Sequence, residues 1–452
     1  MEILKKIISL SITMIIVFTL FASSTVEAAY KLPFETNSKA IYMVNTDTNT
    51  VVYEKNKDEK IIPASLTKIM TTIIALETVK DLEGTIVTAP SYIYDEFFGL
   101  NVSTADIRQK EQVRMIDLLY AMILPSANEA ASIVADYIGD GSIAQFVDMM
   151  NKKAKEIGAK NTVFKNPHGL MAQGQVTTAY DLYLITKYAL SLPMFEKICT
   201  TTSYQMPATN KHSQPYNISH TNYMLSKVRG GSYYYPYAKG IKTGTLPEVG
   251  KNLISMASKD GYNYLLISLG APEVDSSGKP LGKNGAFEDA QNLYKWALTS
   301  FKHQTIIKEG EVIEEAKVRL SSGQDYVSLL AKNDVTALLP SDVDATAIQK
   351  IPTILKDVRA PVKKGDVLGR LDLKLNDEII QSVDLVAYQD IHRSLWKYSF
   401  DLVKRFLNNT IVRVLLIILL LLVLIFLVLK ARYRKLQRLR AARSRYIRKM
   451  QK

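Results

Sequence analysis

Cysteine is nearly missing from this chain: Cys199 stands alone in 452 residues, which excludes a disulfide framework. The five histidines are scattered and offer no clustered ligand set for zinc, so no metal or redox cofactor is expected. A surplus of acid is also absent, and the formal charge is +13. The excess is not spread along the chain. Residues 430–452 hold eleven Lys or Arg and no Asp or Glu, which leaves about +2 for everything before them. A basic nucleic-acid-binding face is therefore excluded from the body of the protein. Internal repeats and low-complexity tracts are missing too. What remains is 47% hydrophobic and 22% charged, the balance of a folded globular protein and not of a disordered or collagen-like one. The length predicts two or three domains.

Long apolar runs occur only at the ends. Residues 1–29 carry Lys5 and Lys6, an apolar stretch from Ile7 to Ala22, and small residues at Ala28 and Ala29. This is the pattern of a signal peptide cut after Ala28 or Ala29, with an uncleaved anchor as the alternative. At the other end, Val414 to Leu429 is an unbroken run of sixteen apolar residues. Extended to 411–429, it spans roughly 28 Å as a helix, close to a bilayer's hydrocarbon thickness. The basic tail, 430–452, is expected to stay cytoplasmic by the positive-inside bias, placing the body of the chain outside. Residues 391–410 mix Leu395, Trp396, Leu402, Val403 and Phe406 with Lys397, Lys404 and Arg405. They read equally as an amphipathic helix lying at the interface or as a plain linker helix.

Between the ends, alternating residues around Asn45, Asp47 and Asn49 predict a hairpin from Ile41–Val44 and Thr50–Tyr53. Leu66, Ile69, Met70, Ile73 and Ile74 recur at helical spacing, which predicts a helix over 65–78 with Ser65 at its start. Residues 113–157 and 178–198 read as a helical block. Lys251–Ala257 and Tyr262–Gly270 read as a second hairpin, and Ala286–Thr299 as an amphipathic helix. From about 304 to 390 short β-rich segments predict a separate small all-β domain. The order suggests a sheet covered by helices plus a helical lobe over residues 30–303.

Three short motifs carry the chemistry: Ser65-Leu66-Thr67-Lys68, Ser126-Ala127-Asn128 and Lys242-Thr243-Gly244-Thr245, with Ser126 61 residues after Ser65 and Lys242 116 residues after Ser126. Each alone is weak, since Ser-x-x-Lys also occurs at Ser276–Lys279 and Ser394–Lys397. Only Ser65 precedes a helical apolar run, which puts Lys68 one turn later on the same face. A serine hydroxyl becomes nucleophilic when a base takes its proton, and Lys68 is the candidate. It must be neutral to do so, which requires burial or a second cation such as Lys242. The bland alternative makes Ser65 an N-cap, Lys68 a solvated charge, Ser126 to Asn128 a loop, and Lys242 to Thr245 an edge strand with a glycine bend.

The ordered set resembles the low-molecular-mass penicillin-binding proteins, the serine-type D-alanyl-D-alanine carboxypeptidases. Asn166-Pro167-His168-Gly169-Leu170 and Thr178-Ala179-Tyr180-Asp181-Leu182 are similar to that family as well, over roughly residues 35–390. The resemblance implies an α/β (α+β) penicillin-binding/β-lactamase-like catalytic domain, a small all-β domain and one transmembrane helix. It implies that Ser65 is acylated with Lys68 as base and that Ser126 relays a proton to the leaving amine. Asn128 would hold the substrate amide, and Lys242, Thr243 and Thr245, with Gly244 between them, would receive the terminal carboxylate. Backbone N–H groups of Ser65 and Thr245 would form the oxyanion hole. The implied partners are peptidoglycan stem peptides, with β-lactams as covalent inhibitors and the membrane as anchor; the implied cofactor set is empty. Glu129 stands where members often carry Asp, and Thr245 where many carry His. His168 is read as structural. The rivals are a serine β-lactamase, a transpeptidase side reaction, and a non-catalytic penicillin-fold binding protein. The first is disfavoured because residues 162–169 contain no acid to activate a deacylating water.

Overall fold

A computed structural model describes residues 32–375 and 378–450; the expected signal peptide lies outside the described residues. Contacts divide the chain into two units, one of residues 32–304 and 337–344, the other of residues 305–336 and 345–450.

The first unit opens with the expected hairpin, β1 (Ala40–Asn45) and β2 (Thr50–Lys55). Pro63 leads into a 3-10 turn, Ala64–Thr67, and then helix α1 (Lys68–Thr78). The α-helix thus begins three residues later than the spacing predicts. Ala64 takes a positive φ of 50°, and Leu66 N–H bonds Pro63 O at 3.2 Å, so the first turn closes tightly in the i to i+3 manner before widening. Ile69, Met70, Ile73 and Ile74 are buried, each contributing about 1.5–3 kcal/mol.

A helical lobe follows. Strands β3 (Ile86–Thr88) and β4 (Gln112–Arg114) pair at its edge. Helices α2 (Met115–Ile123), α3 (Asn128–Ile138), α4 (Ile143–Ile157), α5 (Ala179–Leu190) and α6 (Pro193–Thr200) form its body. A ribbon of β5 (Ser203–Met206) and β6 (Tyr216–Ser219) leads out of it. Thr178 caps α5 by accepting from Asp181 N–H at 3.0 Å, while Asp181 accepts from the Thr162 hydroxyl at 2.8 Å. The cap therefore also holds the segment at Thr162.

The chain returns to the sheet as β7 (Ala238–Leu246), β8 (Gly250–Lys259) and β9 (Tyr262–Ala271), and ends the unit with α7 (Gly285–Ser300). The antiparallel sheet runs β2-β1-β9-β8-β7, leaving β7 at an edge. Period-two alternation sorts its side chains to two faces. Tyr42, Val44, Ile254 and Ile267 join the core of the helical lobe, whereas Ile41, Met43, Leu253 and Leu266 pack with Phe287 and Leu293 of α7.

The second unit holds a six-stranded sheet in the order Gln349–Ile354, Val367–Leu375, Glu378–Ala387, Tyr326–Ala331, Val312–Arg319 and Val358–Arg359. Its pairs are antiparallel except the last, which is parallel. Helix α8 (Leu395–Asn408) buries none of its residues and leaves Leu395, Trp396, Phe400 and Phe406 exposed. Helix α9 (Thr410–Met450) continues without a break from the apolar run into the basic segment.

Candidate active site

The three motifs converge. Lys68 is fully buried at the first position of α1. Its Nζ lies 3.1 Å from Ser65 Oγ, 2.8 Å from Asn128 Oδ1 and 2.7 Å from the main-chain oxygen of His168. The bland reading of this pair does not hold: no side chain caps the 3-10 turn, and Lys68 has no contact with solvent.

The geometry has a chemical consequence. The Asn128 amide nitrogen donates to Ser103 O at 3.1 Å, so its oxygen faces the lysine. Two of the three neighbours of Nζ are thus pure acceptors. A neutral amine has two N–H donors and one lone pair. When Asn128 and His168 take the two donors, the lone pair is left to Ser65 Oγ–H. Burial first, and then the nearby charge of Lys242, hold the Lys68 amine well below the ordinary lysine range, with Glu129 opposing. The arrangement favours the neutral base that serine activation needs.

The edge strand closes the site. Lys242 is buried, donates to Thr243 O at 2.9 Å, and is brought down to about 7 by burial. A Cβ on Gly244 would lie 3.2 Å from Ser65 N and 3.2 Å from Ala64 Cβ; glycine lets β7 run close to the Ser65 backbone. Thr243 shares a 2.6 Å hydrogen bond with Thr221 through their hydroxyls, and Thr245 is exposed. Asn252 of β8 donates to Ile62 O at 3.2 Å and Pro63 O at 3.3 Å, tying the approach to Ser65 to the sheet. Ser126 has a positive φ of 67°, and its buried Oγ has no hydrogen-bond partner among the described residues.

All eight residues singled out in the sequence lie in this neighbourhood of α1, α3 and β7. Two residues named in the sequence without a catalytic role, Glu129 and His168, are buried beside them. Glu129 follows Asn128, is buried, and has its carboxyl pushed up to about 7 by burial. His168 is buried, with Nδ1 accepting Leu170 N–H at 3.1 Å and Nε2 3.3 Å from Glu96 Oε2. Residues 162–169 have no acid of their own, but Glu96, from the turn Ser91–Phe97, brings one against them. Nothing local in the sequence marks Glu96 or Thr221, whereas Glu129 was visible beside the second motif. Among the described residues no group of three or more His, Cys, Asp or Glu side chains converges as metal ligands.

Known proteins match this architecture. A family model described as D-alanyl-D-alanine carboxypeptidase matches residues 24–273, and one described as penicillin-binding protein 5, C-terminal domain, matches residues 301–393. D-alanyl-D-alanine carboxypeptidase DacF of Bacillus subtilis (strain 168) is 26% identical over 358 residues, covering 79% of this chain and 86% of its own. D-alanyl-D-alanine carboxypeptidase DacC of Escherichia coli (strain K12) is 27% identical over 384 residues, covering 82% and 87%. The structure of penicillin binding protein 5 from Haemophilus influenzae superposes with a TM-score of 0.65 at 24% identity, covering 80% of this chain and all of its own. The α/β unit with its serine beside a buried lysine, the β-rich unit behind it in sequence, and a family match over more than half the chain agree: this protein belongs to the D-alanyl-D-alanine carboxypeptidase family.

Proposed function

We propose that this chain is a serine-type D-alanyl-D-alanine carboxypeptidase that removes the terminal D-Ala from peptidoglycan stem pentapeptides and is acylated by β-lactams. The observation that carries the reading is the buried Lys68 Nζ at 3.1 Å from Ser65 Oγ, with its other two neighbours able only to accept. Neutral Lys68 takes the Ser65 proton as Oγ bonds to the carbonyl carbon of the penultimate D-Ala. The peptide C–N bond breaks, and the proton passes from Lys68 through Ser126 to the leaving nitrogen. Water then attacks the ester while Lys68 takes its proton, and Ser65 recovers its hydrogen as the C–O bond breaks. Asn128 holds the substrate amide; Lys242, Thr243 and Thr245 receive the terminal carboxylate, with Gly244 letting the strand approach. The backbone N–H groups of Ser65 and Thr245 serve as oxyanion donors, and losing one such donor typically costs about 10²–10³-fold in turnover.

The domain arrangement follows the same reading: a signal peptide at 1–29, the catalytic domain at 30–303, a β domain at 304–390 and a juxtamembrane helix at 391–410. A membrane span lies at 411–429, with a cytoplasmic tail at 430–452. The helix segment Thr410–Ala441 is long and apolar enough to cross a bilayer, and none of its most apolar window is buried in the protein. The export pattern and the basic tail support placing the catalytic domain on the extracytoplasmic side.

The test is to incubate the detergent-solubilised full-length protein with a pentapeptide ending in D-Ala-D-Ala and to measure free D-Ala. Release that disappears in Ser65→Ala and Lys68→Ala is expected. Joining of two peptides would instead identify a transpeptidase, rapid turnover of penicillin a β-lactamase, and silence in all three a binding protein.

A further inference from the structure

A groove of about 480 Å³ lies in the first unit, between two walls. One wall is Tyr223 and Tyr233, from the segment between β6 and β7. The other is the turn after β9, with Glu273, Val274 and Pro280. That turn is closed on itself by Leu281 N–H donating to Glu273 O at 2.9 Å and by the pairing of Val274 with Pro280. Lys251 of β8 and Phe287 of α7 also line the groove.

Its chemistry is mixed. Tyr223 is 41% exposed and Val274 47%, while the buried Phe287 backs both tyrosines, its ring centre 6.1 Å from that of Tyr223 and 5.3 Å from that of Tyr233. Asn284 N–H donates to the Tyr233 hydroxyl at 2.7 Å, and Arg229 lies 5.5 Å from the Tyr223 ring centre, so both rings are held in place. Each cation that lines the groove is matched by an acid: Lys251 pairs with Glu273, and Lys283 with Glu288 at 2.8 Å. The groove therefore has no net charge with which to draw a phosphate or another polyanion. It offers instead aromatic rings beside a donor and an acceptor. A pyranose ring is the complement of this surface, because its C–H faces leave water favourably against an aromatic side chain and its hydroxyls both donate and accept.

The groove adjoins the catalytic strand. Antiparallel partners share a face of the sheet. Lys251 stands opposite Thr245, and Leu253 opposite Thr243, which puts Thr243, Thr245 and Lys251 on the α7 face while Gly244 approaches Ser65. Thr243 is also bonded through its hydroxyl to Thr221, two residues before Tyr223. The groove thus begins one strand, about 5 Å, from Thr245. A five-residue stem peptide stretches roughly 17 Å, enough to set its far end at Ser65 and its sugar here.

We propose that this groove is a saccharide subsite that holds the amino sugar to which the stem peptide is joined. The proposal rests on the carboxypeptidase reading above and deepens it by naming the sugar-bearing stem peptide as the substrate.

The experiment measures D-Ala release by the detergent-solubilised full-length protein from two substrates with the same pentapeptide. One has an acetylated N-terminus, and the other is joined to the disaccharide N-acetylglucosaminyl-N-acetylmuramic acid. The disaccharide form is expected to show a kcat/KM roughly tenfold higher, the worth of one packed aromatic ring. The gain should appear in KM, because a remote sugar is held alike before and during the reaction. Tyr223→Ala, and separately Val274→Arg, which fills the groove from the opposite wall, are expected to abolish the advantage and to leave the kinetics of the acetylated pentapeptide unchanged. An advantage that survives both variants overturns the proposal, and so do variants that slow both substrates in the same proportion. Should Tyr223→Ala fail to fold, Val274→Arg decides alone. A wild type that releases D-Ala from neither substrate sinks the carboxypeptidase reading and this proposal with it. An active wild type with equal kcat/KM for the two substrates sinks this proposal alone.

Discussion

The main-chain oxygen of His168 accepts a 2.7 Å hydrogen bond from Lys68 Nζ, across one hundred residues of chain. Together with Asn128 Oδ1 it occupies the two donors of a neutral amine and directs the lone pair to Ser65. An arginine at this position could satisfy both acceptors but could not become neutral. Lys68→Arg is therefore expected to melt below the parent, because a larger, permanently charged group enters a fully buried site, and to lose acylation by labelled penicillin in its folded fraction by about 10²–10⁴-fold. Acylation at the parental rate would remove Lys68 from the role of base.

The turn that presents this oxygen depends on one glycine. Gly169 has φ of 93°, and a Cβ there would fall 1.8 Å from the main-chain oxygen of Ala64, the residue before Ser65. The carbonyl is backbone and cannot swing aside. Gly169→Ala is expected to cost about 2 kcal/mol or more in stability and to slow acylation by displacing the 3-10 turn. A thermal melt together with a penicillin-binding rate checks both.

The sequence was most informative where the deciding forces are local. Both hairpins and the helix after Ser65 follow from alternation and helical spacing within a few residues, and the motif order singled out Ser65 and Lys68, which the fold brings to 3.1 Å. It was silent where the deciding contacts are distant. Nothing near Glu96 points to His168, 72 residues on, so the lack of an acid in residues 162–169 said less about the turn's surroundings than its composition suggested. Ser65 was expected at a helix start, but the tight turn that holds it depends on Ala64 adopting a positive φ against Gly169, a fit between segments.

One more long-range cluster makes a pH prediction. His212, in the loop between β5 and β6, lies 2.9 Å from Glu111 Oε1 through Nδ1 and 3.0 Å from Asp106 Oδ2 through Nε2. Arg108 also pairs with Asp106, and Thr209 with Glu111. Burial draws the imidazole down, but the two carboxylates outweigh it and raise it above the ordinary value. A raised folded-state value means that the stabilisation is fully present below the unfolded-state value, about 6.5, and is lost as pH climbs through the folded one. The catalytic unit is expected to melt a few degrees lower at pH 8.5 than at pH 6, and His212→Gln to flatten that dependence. Parallel curves for the two proteins would count against the cluster.

Ser126 poses the last test, because its backbone and its hydroxyl make opposite demands. A non-glycine residue at φ of 67° is strained by roughly 1 kcal/mol or more, and its Oγ recovers nothing through hydrogen bonds among the described residues. Ser126→Gly is therefore expected to be more stable than Ser126→Ala, by about 1 kcal/mol, because only glycine relieves the backbone. Both variants lose the hydroxyl that would hand a proton to the departing amine. Hydrolysis of the peptide substrate should then fall about 10²–10⁴-fold, whereas a depsipeptide ending in D-lactate, whose alkoxide leaves more readily than an amine anion, should lose far less. Peptide and ester rates measured side by side separate this role from a general disturbance of the site, which would slow both substrates alike.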